Sequence, residues 1–234
     1  MELRSDIAET LVAELDDGTP LLFRHIRPDD KRRLEEGFER LSPESRYRRF
    51  FRSIDRLTPD QLEYLTNVDG EDHVAWVALL RDEPGQPGVG VARWIRAADD
   101  PETAEAAVTV IDEYQGRRIG TTLLRLAAES AVSRGVKRFR VWTLGDNRPM
   151  LDLLERLGAK RGRWQSGVLE VNVDLPGDPD ALDLTPAPLI LKAVAAGEIV
   201  GETSPDRLGG TRLVQERKSP GDLPGHAGGA PDRT

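Results

Sequence analysis

The stretch Val108-Thr109-Val110-Ile111-Asp112-Glu113-Tyr114-Gln115-Gly116-Arg117-Arg118-Ile119-Gly120-Thr121-Thr122 has the pattern of a strand that enters a short polar loop and leaves it at once as a helix. A helix start leaves several amides without intrahelical acceptors, here from about Gln115 to Thr121, at the positive end of the helix dipole. An anion such as a pyrophosphate suits that place. Arg117 and Arg118 add positive charge, and Gly120 lets backbone or ligand come close because it has no side chain. The loop is not a Walker loop, since no Gly-Lys-Ser/Thr follows four residues after a glycine, and it is not the dinucleotide G-x-G-x-x-G. Upstream on the same strand, alternation puts Glu105, Ala107 and Thr109 on one face and Ala106, Val108 and Val110 on the other. Glu105 then sets a carboxylate among small and apolar neighbours, where burial would raise its pKa toward the working pH of a general base. The alternative is a strand-end glutamate facing solvent beside Asp99, Asp100 and Glu102.

Composition removes other chemistries. The chain of 234 residues has no cysteine, so thiol nucleophiles, disulfides, iron–sulfur clusters and cysteine-based zinc sites are excluded. Its histidines, His25, His73 and His226, lack metal-ligand spacing, so no metal site is expected. With 33 basic and 41 acidic side chains the net charge is -8, which argues against nucleic-acid binding and favours a cationic partner such as an amine. The apolar runs Val74 to Leu80 and Leu189 to Ala196 are far shorter than the roughly 20 residues of a bilayer crossing, so no membrane partner is expected. The first residues lack the basic-then-apolar pattern of a secretory signal, and a cytoplasmic address is expected.

These residues need elements to hold them. Residues 1–19 read as an N-terminal extension and 20–175 as one domain. Residues 176–203 read as a linker with a possible short helix at Ala187 to Val200, and 204–234 as a disordered Gly- and Pro-rich tail. Within the domain, Leu21 to Ile26 reads as a strand and Asp29 to Arg40 as a helix. Two short helices follow Ser42-Pro43 and Thr58-Pro59, each with a capping residue before a proline. Strands are expected at Asp72 to Arg81, Val89 to Arg96 and Ala104 to Ile111, and a helix at Arg117 to Arg134 whose apolar face includes Leu123, Leu124 and Ala127. A strand at Phe139 to Leu144, a helix at Pro149 to Leu157 and a strand at Gly167 to Asp174 complete the pattern. Tyr47, Phe50 and Phe51 are expected inward on their helix, His25 and His73 as structural residues, and the four tryptophans in the core.

The loop Gln115-Gly116-Arg117-Arg118-Ile119-Gly120-Thr121 resembles the acetyl-CoA motif of the GNAT superfamily of N-acetyltransferases, Gln/Arg-x-x-Gly-x-Gly/Ala. Asn147 and Leu153-Leu154-Glu155-Arg156-Leu157-Gly158 resemble a second motif of that family. Ile26-Arg27-Pro28-Asp29-Asp30 and Leu41-Ser42-Pro43-Glu44-Ser45-Arg46-Tyr47 look like the GNAT domains of bacterial protein lysine acetyltransferases. The resemblance spans residues 20 to 174. It implies an α/β (α+β) fold with a mixed, mostly antiparallel sheet, splayed central strands and helices on both faces. It also implies acetyl-CoA as acetyl donor, with its diphosphate on Gln115, Gly116, Arg117, Arg118, Ile119, Gly120 and Thr121. The rest of the donor would run along Val108 and Val110, with Asn147 at the pantetheine arm or capping the next helix. Glu105 matches the catalytic glutamate of the lysine acetyltransferases, and transfer would be direct, without an acyl-enzyme. Three positions depart from the pattern: Arg118 stands at a motif glycine, Leu154 at the place of a tyrosine that protonates the thiolate, and Ala159 at an aromatic. A protein lysine is the implied acceptor; a small-molecule amine acetyltransferase and a non-catalytic CoA-binding sensor or interaction module are the alternatives.

Overall fold

Every residue of the apolar run His73–Leu80 and of the small-residue run Thr103–Val110 is buried, so both strands must be covered on both faces. In the computed structural model, which describes residues 10–147, 151 and 159–176, they lie inside an eight-stranded sheet. Its strands are β1 (Thr10–Glu14), β2 (Pro20–His25), β3 (His73–Leu80), β4 (Gly88–Arg96), β5 (Thr103–Val110), β6 (Arg138–Leu144), β7 (Lys160–Gln165) and β8 (Val168–Asp174). The spatial order is β1-β2-β3-β4-β5-β6-β8-β7. Every neighbouring pair is antiparallel except β5 and β6, which run parallel because a helix connects them. The α-helices bounded within the described residues are α1 (Lys31–Glu39), α2 (Pro43–Phe50), α3 (Pro59–Thr66) and α4 (Ile119–Val132).

Two consecutive residues of β4 show which helices lie on which face. The Arg93 guanidinium donates to the Leu65 carbonyl of α3 at 3.1 Å, whereas the Trp94 indole N–H donates to Ser130 of α4 at 2.8 Å. Successive strand side chains point to opposite faces, so α3 and α4 cover opposite sides of the sheet. The mixed sheet expected from the sequence is the one observed.

Several local expectations need correction. Strand β1 lies within residues 1–19, where the sequence suggests no strand; it pairs with β2 from Thr10↔Arg24 to Glu14↔Pro20. Strand β7 is likewise absent from the sequence reading. A 3-10 turn over Pro28–Asp30 precedes α1, and α4 begins at Ile119 rather than Arg117. On α2 the buried side chains are Ser45, Arg49 and Phe50, one stripe at helical spacing, and Tyr47 falls outside that stripe with 45% of its surface exposed. Trp76 and Trp94 are core residues, His25 stacks on Trp76 and His73 contacts Arg93, but Trp164 is 58% exposed on β7. The helix expected at Pro149 to Leu157, apart from Leu151, and the segments beyond Pro176 lie outside the described residues.

Candidate active site between two diverging strands

The parallel ladder between β5 and β6 is short: its register is Thr103↔Arg138, Ala104↔Phe139 and Glu105↔Arg140, and nothing beyond. Each strand nevertheless continues, held on its outer side, β5 by β4 as far as Gly90↔Val110 and β6 by β8 as far as Leu144↔Val168. The two strands therefore open a gap immediately past Glu105. The Ile111 amide donates to the Val89 carbonyl of β4 at 3.0 Å. Backbone groups alternate sides along a strand, so the amides of Val108 and Val110 point the other way, into the gap.

Glu105 is buried, with 5% of its surface exposed. It does not face solvent. Its face can be deduced from Trp94, which pairs with Ala106 and reaches α4, so Glu105, Ala107 and Thr109 look toward α1–α3. On that side a cavity of about 70 Å³ lies between helices and sheet, with Phe38, Phe50, Val91, Thr109 and Ile111 among its walls. The Thr109 hydroxyl is buried and has no hydrogen-bond partner among the described residues. Opposite Glu105, Arg140 reaches it at 4.0 Å while gripping Asp99 with two hydrogen bonds of 3.2 Å.

The loop after β5 is set by two positive backbone angles. Gly116 has φ +74°, with open space around it, and Arg118 has φ +65° at the N-cap of α4 without a side-chain cap. Glycine adopts that backbone freely, whereas an arginine there costs about 1–2 kcal/mol. Thr122 donates to the Arg118 carbonyl at 3.1 Å, so the amides of Ile119, Gly120 and Thr121 precede the first turn's hydrogen bond. The Thr121 hydroxyl is buried without a partner among the described residues. The Gln115 side chain donates to the Val110 carbonyl at 3.0 Å, tying the loop to the mouth of the gap. Arg117 pairs with Asp17 at 2.7 Å, and its guanidinium lies 5.1 Å from the Tyr114 ring centroid.

The Acetyltransferase (GNAT) family profile matches residues 25–159. The chain belongs to the GNAT acetyltransferase family. It is 39% identical over 154 residues to acetyltransferase Pat of Mycolicibacterium smegmatis, an alignment covering 66% of this chain and 45% of Pat. It therefore spans less than half of that relative. It is 33% identical over 147 residues to acetyltransferase PA5475 of Pseudomonas aeruginosa, covering 63% of this chain and 78% of the relative. Among solved structures, the GNAT domain of S. lividans PAT superposes with a TM-score of 0.63 at 30% identity, over 71% of this chain and 97% of that one.

In this GNAT chain the loop is braced from below. Asp112 accepts hydrogen bonds of 2.9 Å from the Ser42 amide, the Ser42 hydroxyl and the Ser45 hydroxyl, so the capped start of α2 docks on the segment that leads to Gly116. Burial pushes the Asp112 carboxyl up, but those hydrogen bonds outweigh it and hold it below the ordinary carboxylate value. Asp112→Ala should lower stability by about 1–2 kcal/mol in urea unfolding. A lowered folded-state pKa stabilises above the unfolded value and stops doing so as pH falls through the folded one. The wild-type advantage should therefore be full above about pH 4 and shrink below it. An advantage that grows with acid would contradict the bracing role.

Asn147 lies at the end of β6 and is buried; its amide donates to Leu144 at 3.1 Å and its carbonyl accepts from Leu151 at 3.0 Å, the backbone pattern of a helix cap. Leu154 and Gly158 of the second motif lie outside the described residues. Sequence reasoning missed Arg140 and Glu170. Only the pairing register could have found them, since it alone puts Arg140 across from Glu105 and Glu170 across from Trp142.

Proposed function

We propose that this chain moves an acetyl group from acetyl-CoA to a primary amine, a protein lysine side chain in preference to a small amine, by direct transfer with Glu105 as general base. The observation that carries this reading is the opening of β5 from β6 directly beside a buried carboxylate. The residues fit the donor. Amides of Ile119, Gly120 and Thr121, with the orphaned Thr121 hydroxyl, form a cradle for a diphosphate at the start of α4. The amides of Val108 and Val110 line the passage from α4 to the Glu105 face, and the buried Asn147 follows β6, the strand on the other side of it. Gly116 and Gln115 shape the loop, and Arg118 supplies nearby charge.

Bound acetyl-CoA supplies an acetyl group activated as a thioester. Glu105 takes a proton from the acceptor ammonium, directly or through one water, so that the nitrogen lone pair can attack the carbonyl carbon. The Val110 amide donates to the oxygen on which charge develops. Collapse breaks the carbon–sulfur bond, and the second proton on nitrogen passes through water to the departing thiolate, leaving a neutral amide and a thiol. The chain has no cysteine, which suits transfer without an acyl-enzyme. A protein acceptor accords with the resemblance of Ile26 to Asp30 and Leu41 to Tyr47 to the GNAT domains of bacterial protein lysine acetyltransferases.

Thiol release from acetyl-CoA, followed across lysine peptides, polyamines and amino sugars, tests the reading. Turnover is expected with lysine peptides. Turnover confined to polyamines or amino sugars would reassign the acceptor, and tight CoA binding with no release for any acceptor would make the chain a sensor.

A further inference from the structure

Arg140 stands where three carboxylates from three parts of the fold converge. Asp99, on the turn between β4 and β5, accepts two hydrogen bonds of 3.2 Å from its terminal nitrogens. Glu105 on β5 is 4.0 Å from Nη1, and Glu170 on β8 is 3.7 Å from Nε. The Nε–H is buried without a hydrogen-bond partner among the described residues, so this guanidinium holds the two glutamates by charge alone. Arg140 and Glu105 also form the last pair of the β5–β6 ladder, the point at which the gap begins. The other charged groups on this face have partners of their own. Arg93 on β4 contacts His73 and the Leu65 carbonyl, and Arg138 on β6 pairs with Asp174 at 2.8 Å.

We propose that Arg140 is a positioning residue for the transfer: shared among Asp99, Glu105 and Glu170, it fixes the Glu105 carboxylate where the gap begins and keeps it ionised. This rests on the reading of Glu105 as general base. A buried carboxylate alone tends to stay protonated and cannot accept a proton, while a cation within about 4–6 Å favours the ionised form. Asp99 competes for the same guanidinium. It sits on an exposed turn and forms the only hydrogen bonds described for Arg140, so it tempers what Arg140 gives to Glu105.

The two neighbours should therefore act with opposite sign. With ¹³C-labelled glutamate carboxyls, the Glu105 resonance, assigned by its loss in Glu105→Gln, is titrated by NMR in wild type, Arg140→Gln, Arg140→Lys and Asp99→Asn. Arg140→Gln should move the Glu105 midpoint up by about one pH unit or more, and Arg140→Lys should return part of that shift. Asp99→Asn should move it down, because the guanidinium is released toward Glu105. If Arg140→Gln is too unstable to titrate, the Lys and Asn variants still give opposite signs. A midpoint that stays at the wild-type value in the Arg140 variants, or that rises in Asp99→Asn, overturns the proposal. The titration needs no turnover. If Glu105→Gln keeps the wild-type rate, the base reading itself fails and this role for Arg140 fails with it; a loss of rate with an unmoved midpoint removes Arg140 alone.

Discussion

Glu105→Gln is expected to lower kcat by roughly 100-fold or more while leaving affinity for acetyl-CoA nearly unchanged. The two side chains have the same shape, so the variant should keep the packing of a position only 5% exposed. An amide has no lone pair basic enough to take the ammonium proton, and only the water pathway remains. The affinity should hold because the amides assigned to the diphosphate belong to the start of α4, on the opposite side of the sheet from the Glu105 side chain. Thiol-release kinetics with a lysine peptide, alongside calorimetric titration of coenzyme A, separates the two effects. A rate within a few-fold of wild type would remove Glu105 from the mechanism. A parallel loss of affinity would mean that the substitution disturbs the gap rather than the proton transfer.

The candidate site's residues were more legible in the sequence than the geometry that joins them, for reasons visible in particular residues. Glu105 and the Gly116–Gly120 loop are local signals: alternation fixes the face of one, and glycine spacing before an amphipathic run marks the other. The helix starts at Ser42-Pro43 and Thr58-Pro59 were legible for the same reason, since a cap acts on amides only three residues away. Arg140 is a long-range feature. Nothing in Arg138–Leu144 says that its third residue faces Glu105 until the register is known. Strands β1 and β7 are the two sheet edges, where one neighbour suffices and side chains remain exposed; Leu11, Val12 and Trp164 are the large apolar residues left there. Such strands lack the continuous burial that marks β3 and β5. Tyr47 misled because aromatic type suggested an inward residue, whereas helical phase put Arg49 inside.

The connection from β5 to α4 explains why a departure from the family pattern at Arg118 leaves the architecture intact. What the loop needs there is a positive φ, which Arg118 adopts, with its carbonyl receiving the Thr122 amide. Bracing by Asp112 from α2 and by Gln115 on Val110 can hold a strained backbone in place. The strain is local and its supports lie on neighbouring elements.

Gly120 gives the second decisive substitution. It is the second residue of α4, it is buried, and its amide precedes the first turn's hydrogen bond together with those of Ile119 and Thr121. Gly120→Leu should weaken coenzyme A binding by roughly 10- to 100-fold, since losing one hydrogen bond to a charged group costs about 1.5–3 kcal/mol. Gly120→Ala separates crowding from folding. Alanine favours a helix by about 1 kcal/mol over glycine, so this variant should melt no lower than wild type where its methyl is accommodated, and should lose less affinity than the leucine variant. Calorimetric titration of coenzyme A into both variants, each checked by thermal melting, gives the comparison without requiring an acceptor. If a folded Gly120→Leu protein binds coenzyme A as wild type does, the diphosphate lies elsewhere, and the path from the start of α4 through the gap to Glu105 loses its anchor.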